Sequence, residues 1–239
     1  MFAYDHKVSE RFPDIRAGVI HARGLSNGPS PQELLDEYQT GQRIVVQKLG
    51  ETAIADLPSI SAWRRVFAEF GAKPTRYRNA AEALLRRLSK QGGIPTVNTL
   101  VDVGNLVSIR YAMPVAVFDR GGVDGTIAVR FADGDEPFAD LGSSDTVHPV
   151  PGEVVFVDDQ DVVCARRWCW RQSATSATIA TTTDALFVVE GHHDTAEQDV
   201  EAALRDLASL LASYQPRGRI ESYALSPTSL RAEESSKGP

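Results

Sequence analysis

The residues best equipped for chemistry crowd into one run, R-R-W-C-W-R-Q-S-A-T-S-A-T-I-A-T-T-T, from Arg166 to Thr183. Trp168 and Trp170 alternate with Arg167, Cys169 and Arg171, so an extended segment would carry both indoles on one side. Aromatic platforms beside guanidinium groups suit a base or another aromatic ring, through stacking and cation–π contact. The same pattern also fits two core indoles flanked by arginines that snorkel outward. The threonines that follow, Thr182 among them, offer hydroxyls to a polar ligand or to a β-rich loop. Glu190 ends an apolar run, where a carboxylate orients water, contacts a ligand or simply faces solvent. Asn98, Asp102 and Asn105 fall together on one face of a helix, either as ligand contacts or as a solvated stripe. His192, His193 and Asp194 do not make a metal site, because adjacent histidines in a strand project to opposite sides and no third histidine is placed to complete the set. The sequence shows no phosphate-cradling glycine loop, nucleophile elbow or metalloprotease helix, and no metal or cofactor is expected.

These side chains need elements to hold them. Leu100, Val103, Gly104 and Val107 recur at i, i+3, i+4 and i+7 and predict a helix beneath the Asn98 stripe. Pro114 then opens the apolar run Val115 to Phe118, a strand ending at Asp119. Upstream, Ile15 to Ile20 reads as a first strand, and Ser30, Pro31 and Glu33 read as a capping box that starts a helix. A second helical stretch is expected through Arg43 to Leu49, and a third on Trp63, Val66, Phe67 and Phe70, ended by Gly71. Asn79 with Glu82 caps a fourth, whose apolar stripe is Ala81, Leu84, Leu85 and Leu88. Beyond Asp119 the text turns to strands: alternating Ile127, Val129 and Phe131, then Val154 to Val157, the turn D-D-Q-D, and Val162 to Ala165. The acidic loop A-D-G-D-E-P lacks calcium-ligand spacing and reads as a hairpin loop. A strand over Ala185 to Val189 precedes a final helix, with Thr195 and Gln198 as its capping box and Val200, Ala203, Leu204, Leu207 and Leu211 as its apolar face.

At 239 residues and 42% hydrophobic composition, the chain is long enough for a sizeable core. A formal net charge of −7 argues against non-specific coating of nucleic acid, which depends on cations neutralising phosphates. A local basic patch remains: Arg76, Arg78, Arg86 and Arg87, near Arg64, Arg65, Lys73 and Lys90, form either a phosphate-contacting face or a solvated surface matched to helix ends. Cys164 and Cys169 are the two cysteines, too few for a disulfide framework or a zinc site, and reduced cytosolic thiols are the simplest account. The charged start M-F-A-Y-D-H-K-V is unlike a signal peptide, and no window approaches the roughly 18 apolar residues of a span. A cytoplasmic location without membrane or DNA contact is the expectation.

The segment N-T-L-V-D-V-G-N, followed nine residues later by P-V-A-V-F-D, resembles the N-x-V-V-D-x-x-N and P-M-H-A-F-D segments of the B3/B4 domain in the β subunit of bacterial phenylalanyl-tRNA synthetase. The basic capped helix at Arg78 to Lys90, the P-G-E-V-V strand and R-R-W-x-W are similar to the free-standing B3/B4-domain proteins of prokaryotes. The resemblance runs from about Arg76 to Gly191. It implies an α/β (α+β) fold with a mixed sheet and flanking helices: one domain over residues 1–225, with core motifs at 76–191, a helical N-terminal part at 30–71 and a C-terminal helix at 196–214. A disordered tail is expected over 226–239.

In the synthetase this domain binds mischarged tRNA and hydrolyses the wrong amino-acid ester. The resemblance therefore implies a tRNA or aminoacyl-tRNA partner and an aminoacyl-tRNA deacylase activity. Asn98, Asp102 and Asn105 would fix the ligand, Ala116, Trp168, Trp170 and Thr182 would shape its pocket, Glu190 would hold water or the α-amino group, and Arg76, Arg78, Arg86 and Arg87 would meet the nucleic acid. Ala116 stands where the synthetase has histidine and R-R-W-C-W-R replaces a glycine-rich turn, so the expected pocket is smaller or differently shaped and lacks an imidazole. Ester hydrolysis there needs an oriented water and donors to the developing oxyanion. The alternative is a non-enzymatic sensor that uses the same pocket for a free amino acid or related metabolite.

Overall fold

In the computed structural model, residues 1–143, 145–226, 229 and the backbone of 231–232 are described. The helices are α1 His6–Arg11, α2 Gln32–Leu49, α3 Pro58–Glu69, α4 Ala80–Gln91, α5 Thr99–Tyr111 and α6 Ala196–Tyr214. The strands are β1 Phe2–Tyr4, β2 Arg16–Arg23, β3 Val115–Asp119, β4 Ile127–Phe131, β5 Phe138–Ala139 and β6 Thr146–Val147. They continue as β7 Val154–Val157, β8 Val163–Arg166, β9 Arg171–Gln172, β10 Asp184–Gly191, β11 Arg219–Leu225 and β12 Arg231–Ala232. One sheet has the order β11-β2-β10-β3 and is antiparallel throughout. A second has the order β12-β1-β4-β7-β8-β9 and is mixed, because β1 runs parallel to β4. The fold is α/β with a mixed sheet and flanking helices, as the resemblance implies.

The period-2 alternation of the four-stranded sheet sorts two cores. Ile20, Ala22, Val117, Ala185, Phe187 and Val189 face the helices α2, α4, α5 and α6. Their immediate neighbours Val19, Phe118, Leu186 and Val188 face the six-stranded sheet and α3. Each buried aliphatic side chain in these cores contributes about 1.5–3 kcal/mol by its removal from water. The helix layer lies close: a Cβ at Gly104 of α5 would stand 2.8 Å from the Val117 side chain of β3.

Several local expectations change. The two helical stretches before Leu49 are one helix, α2, which runs through Gly41. A Cβ at that glycine would meet the Leu106 side chain at 2.5 Å, so it serves the α2–α5 contact. Ser30 does not cap α2; Pro31 holds the N-cap position, and the Ser30 hydroxyl donates to Asp102 at 2.6 Å. Thr195 likewise makes no cap bond to α6, and donates instead to Asp199. Asn79 does cap α4, accepting from the Glu82 amide at 2.9 Å. In the expected disordered tail, Arg231–Ala232 pairs with Phe2 and Ala3; residues 227, 228, 230 and 233–239 lie outside the described residues.

Candidate functional site

The turn between β8 and β9 decides where the two aromatic side chains go. Arg167 and Trp168 both adopt left-handed backbone angles, φ 43° and 60°, so the segment is a tight turn and not the extended ribbon its alternation suggests. Glu153 stabilises it from below, accepting from Arg166 Nε and Nη2 at 2.9 Å each and from the Arg167 amide at 3.0 Å. The indoles therefore diverge. Trp168 is fully buried and packs edge-on against Trp63 and Phe12, with ring centroids 5.3 and 5.2 Å away. Trp170 stays half-buried beside Tyr77, with Arg167 and Arg171 over its ring at 4.6 and 4.7 Å. Arg167 also lies 3.9 Å from the Tyr77 centroid and Arg76 5.2 Å, which extends the set into a ladder of guanidinium and aromatic groups.

Between the diverging indoles lies a pocket of about 70 Å³. Ala116 and Phe118 of β3, Phe156 of β7, and Trp168, Cys169 and Trp170 form most of its wall. Ala116 and Phe118 reach it because they occupy the face of the edge strand turned away from the helices. Ala116 is thus in the pocket wall, where it presents a methyl group.

Glu190 lies behind Trp168 and is not part of that wall. It is 2% exposed, and its Oε1 accepts from Trp168 Nε1 at 2.8 Å and from the Tyr4 hydroxyl. Burial pushes its carboxyl up to about 7, against the opposing pull of those two hydrogen bonds, since both donors are neutral. Burial and the Glu190 charge also raise the Tyr4 hydroxyl and the Cys169 thiol well above their ordinary ranges. Cys169 is accordingly a neutral thiol in the pocket wall and not a thiolate nucleophile. His192, edge-on to Trp63 and Trp168, is pushed down to about 3 by burial and by His193 and Arg16, so it too is neutral.

The remaining predicted residues sit elsewhere. Asn98 is the N-cap of α5, accepting from the Val101 amide at 3.0 Å and donating to Thr178 Oγ1 at 3.1 Å. Asp102 is buried, accepts from Ser30 and from the Val97 amide, and burial lifts its carboxyl above the usual range. Asn105 lies near Tyr38 of α2, whose buried hydroxyl has no hydrogen-bond partner among the described residues. Asn98 and Asp102 therefore tie loops to α5, away from the pocket. Thr182 pins its loop, donating to Asp119 at 2.7 Å and accepting from the Ile179 amide at 2.8 Å. Arg78 and Arg86 converge with Arg64 on the buried Glu82, while Arg76 and Arg87 remain exposed.

Tyr4 and Phe156 escaped the sequence reading as site residues, and Glu82 entered it only through the cap of α4. Tyr4 lies 186 positions from its partner Glu190, and no local pattern joins them. An open groove of about 680 Å³ between α2 and α5 is larger than the pocket, but its central charge is already matched: Arg110 donates to Glu37 and Asp206 at 2.7–3.0 Å. Among the described residues no acidic, histidine or cysteine cluster could hold a metal ion, and no helix is long and apolar enough to cross a membrane.

The sequence model of the B3/4 domain matches residues 62–216. The chain belongs to the B3/4 domain family. The match runs from α3 to just beyond α6 and takes in all the pocket-lining residues; Tyr4 lies outside it. The chain is 22% identical over 219 residues to the phenylalanine–tRNA ligase beta subunit of Vibrio cholerae, covering 91% of this chain and 25% of the relative. It thus spans about a quarter of the length of that curated relative. A crystal structure of an N-terminal fragment of the phenylalanyl-tRNA synthetase beta-subunit from Pyrococcus horikoshii aligns at TM-score 0.47 and 14% identity, over 92% of this chain and 50% of that one.

Proposed function

We propose that this B3/4 domain binds the aminoacylated end of a tRNA, with the amino-acid side chain in the pocket between Trp168, Trp170 and Ala116 and the terminal nucleotide outside, over the Arg–aromatic ladder. The observation that carries this reading is that ladder at the pocket mouth: Arg167 and Arg171, each with a carboxylate partner in Glu153 and Asp140, lie flat over the half-buried Trp170 ring, the combination that stacks a base. The relationship to a tRNA ligase subunit supports the class of partner. Trans-editing, the hydrolysis of a mischarged ester, would use water here, because Ala116 offers no base and Cys169 is a neutral thiol. Glu190 serves the site by fixing Trp168 from behind, so binding has more geometric support than turnover. Arg76 and Arg87 are the exposed cations of the basic set, and Arg78 and Arg86 contribute to a phosphate only by sharing themselves with Glu82.

Incubation with a panel of mischarged tRNAs tests this. Retention of charged over uncharged tRNA is expected; neither retention nor deacylation above background would refute it. A second reading, a sensor for a free amino acid, draws on the net charge of −7 and on the engagement of Arg64, Arg78 and Arg86 with one buried carboxylate, Glu82, which turns them away from a phosphate. Under it, a free amino acid at 100 times its dissociation constant would raise stability by about 2.7 kcal/mol in a melting assay, with no tRNA retained.

A further inference from the structure

We infer that the pocket selects small apolar side chains, of methyl or ethyl size, and rejects aromatic ones; this rests on the pocket being the amino-acid site proposed above. Its volume is about 70 Å³. An apolar cavity that takes up benzene measures about 150 Å³, so a phenyl or phenol ring needs roughly twice the space present.

The wall does not widen cheaply. Phe118, Phe156 and Trp168 are each fully buried, and expanding a close-packed core forces side chains off their rotamers and the backbone out of place. Trp168 is held from two further sides, by the Glu190 carboxylate at 2.8 Å and by the Trp63 ring at 5.3 Å, and its backbone sits in the turn anchored on Glu153. Trp170 is the exception. It is half-buried and held mainly by ring and cation–π contacts, so its removal enlarges the site without opening the core.

The polarity of the site points the same way. The Gln172 amide donates to the Val117 and Ser176 carbonyls at 2.8 Å each, and Arg171 is engaged by Asp140 and the Trp170 ring. A charged side chain would lose its hydration without finding a counter-ion, whereas a methyl or ethyl group loses nothing on entry. Ala116 sets the depth and Trp170 the width.

The test uses the full chain and one tRNA charged in turn with alanine, 2-aminobutyrate, phenylalanine and tyrosine, with retention measured at fixed salt. The wild type is expected to hold the alanyl and 2-aminobutyryl forms about tenfold or more tightly than the two aromatic forms, the scale on which pocket size discriminates. Trp170→Ala should bring phenylalanyl-tRNA to within about threefold of alanyl-tRNA. Ala116→Leu should abolish the preference for the small residues while leaving the melting temperature of a folded chain. Equal or tighter retention of the aromatic forms by the wild type overturns the size selection and leaves the aminoacyl-tRNA reading standing. Retention of no charged form above uncharged tRNA overturns both. The wild-type comparison decides the matter even where a variant fails to fold.

Discussion

The two faces of the four-stranded sheet differ in kind. Toward the helices, Phe187, Val189, Val117 and Ile20 meet leucines and valines of α2, α5 and α6, and that interface is mainly aliphatic. Toward the six-stranded sheet, consecutive positions on the same strands meet Trp63, Phe118, Phe156 and Trp168, with Tyr4, Glu190 and His192 buried among them. Along β10 the alternation brings Val189 to the first face and Glu190 to the second. Burial pushes the Glu190 carboxyl up to about 7 and the His192 imidazole down to about 3, and buried polar groups of this kind cost stability. The helical face supplies stability and the aromatic face carries the pocket.

The most drastic way to break this division lies on the helical face. Phe187→Ala should lower unfolding stability by about 3–5 kcal/mol in urea titration, through lost burial and a cavity. If the division is right, the same change leaves tRNA retention by the folded fraction unaltered.

Glu190→Gln probes the other face. A carboxyl raised from 4.5 to about 7 in the folded chain is protonated there while already ionised in the unfolded chain between those values. Its contribution is therefore fully present below pH about 4.5 and is lost as pH rises through about 7, a loss on the order of 3 kcal/mol. The glutamine keeps an acceptor for Trp168 and Tyr4 and should flatten that part of the pH–stability curve, measured by urea melts from pH 4.5 to 8. An unchanged slope would contradict the assignment. Glu136 provides the contrast. Its carboxyl, though opposed by burial, is drawn down to about 2 by the Asp133 and Gly134 amides and Arg130, so its contribution is present above the usual carboxylate range and is lost as pH falls through about 2.

Ser30→Ala removes one of the two hydrogen bonds to the buried Asp102 and should cost about 1 kcal/mol without changing ligand binding, since this stripe is structural. Smallest of all, Arg87→Ala should change stability by less than about 0.5 kcal/mol. If Arg87 meets a phosphate, the salt dependence of tRNA retention becomes shallower by about one unit of slope; otherwise it does not move.

Much of the fold was legible because its signals are local. The i, i+3, i+4, i+7 stripe of α5, the Asn79–Glu82 cap and the apolar runs of β3, β7 and β10 each lie within one element. The misread caps at Ser30 and Thr195 had the right residue types, but tertiary partners, Asp102 and Asp199, claimed their hydroxyls. The site was harder to read. Ala116, Trp168 and Trp170 were identified, yet the alternation of the tryptophans suggested an extended strand, and only the left-handed turn at Arg167 and Trp168 sends them apart to leave a pocket. Asp102 and Asn105 lie in α5, but Asn98 stands before it as the N-cap, and spacing does not reveal that Thr178, Ser30 and the Val97 amide engage Asn98 and Asp102. The Tyr4–Glu190 bond joins distant positions and was invisible to any local pattern.

Retention of one aminoacylated tRNA, compared with the same tRNA uncharged, by wild-type chain and by Ala116→Leu at fixed salt tests the central claim most directly. The account predicts that the wild type prefers the alanyl form and that the leucine, which fills the pocket, erases the preference while the chain stays folded. Equal preference in the two proteins would place the amino acid elsewhere and contradict it.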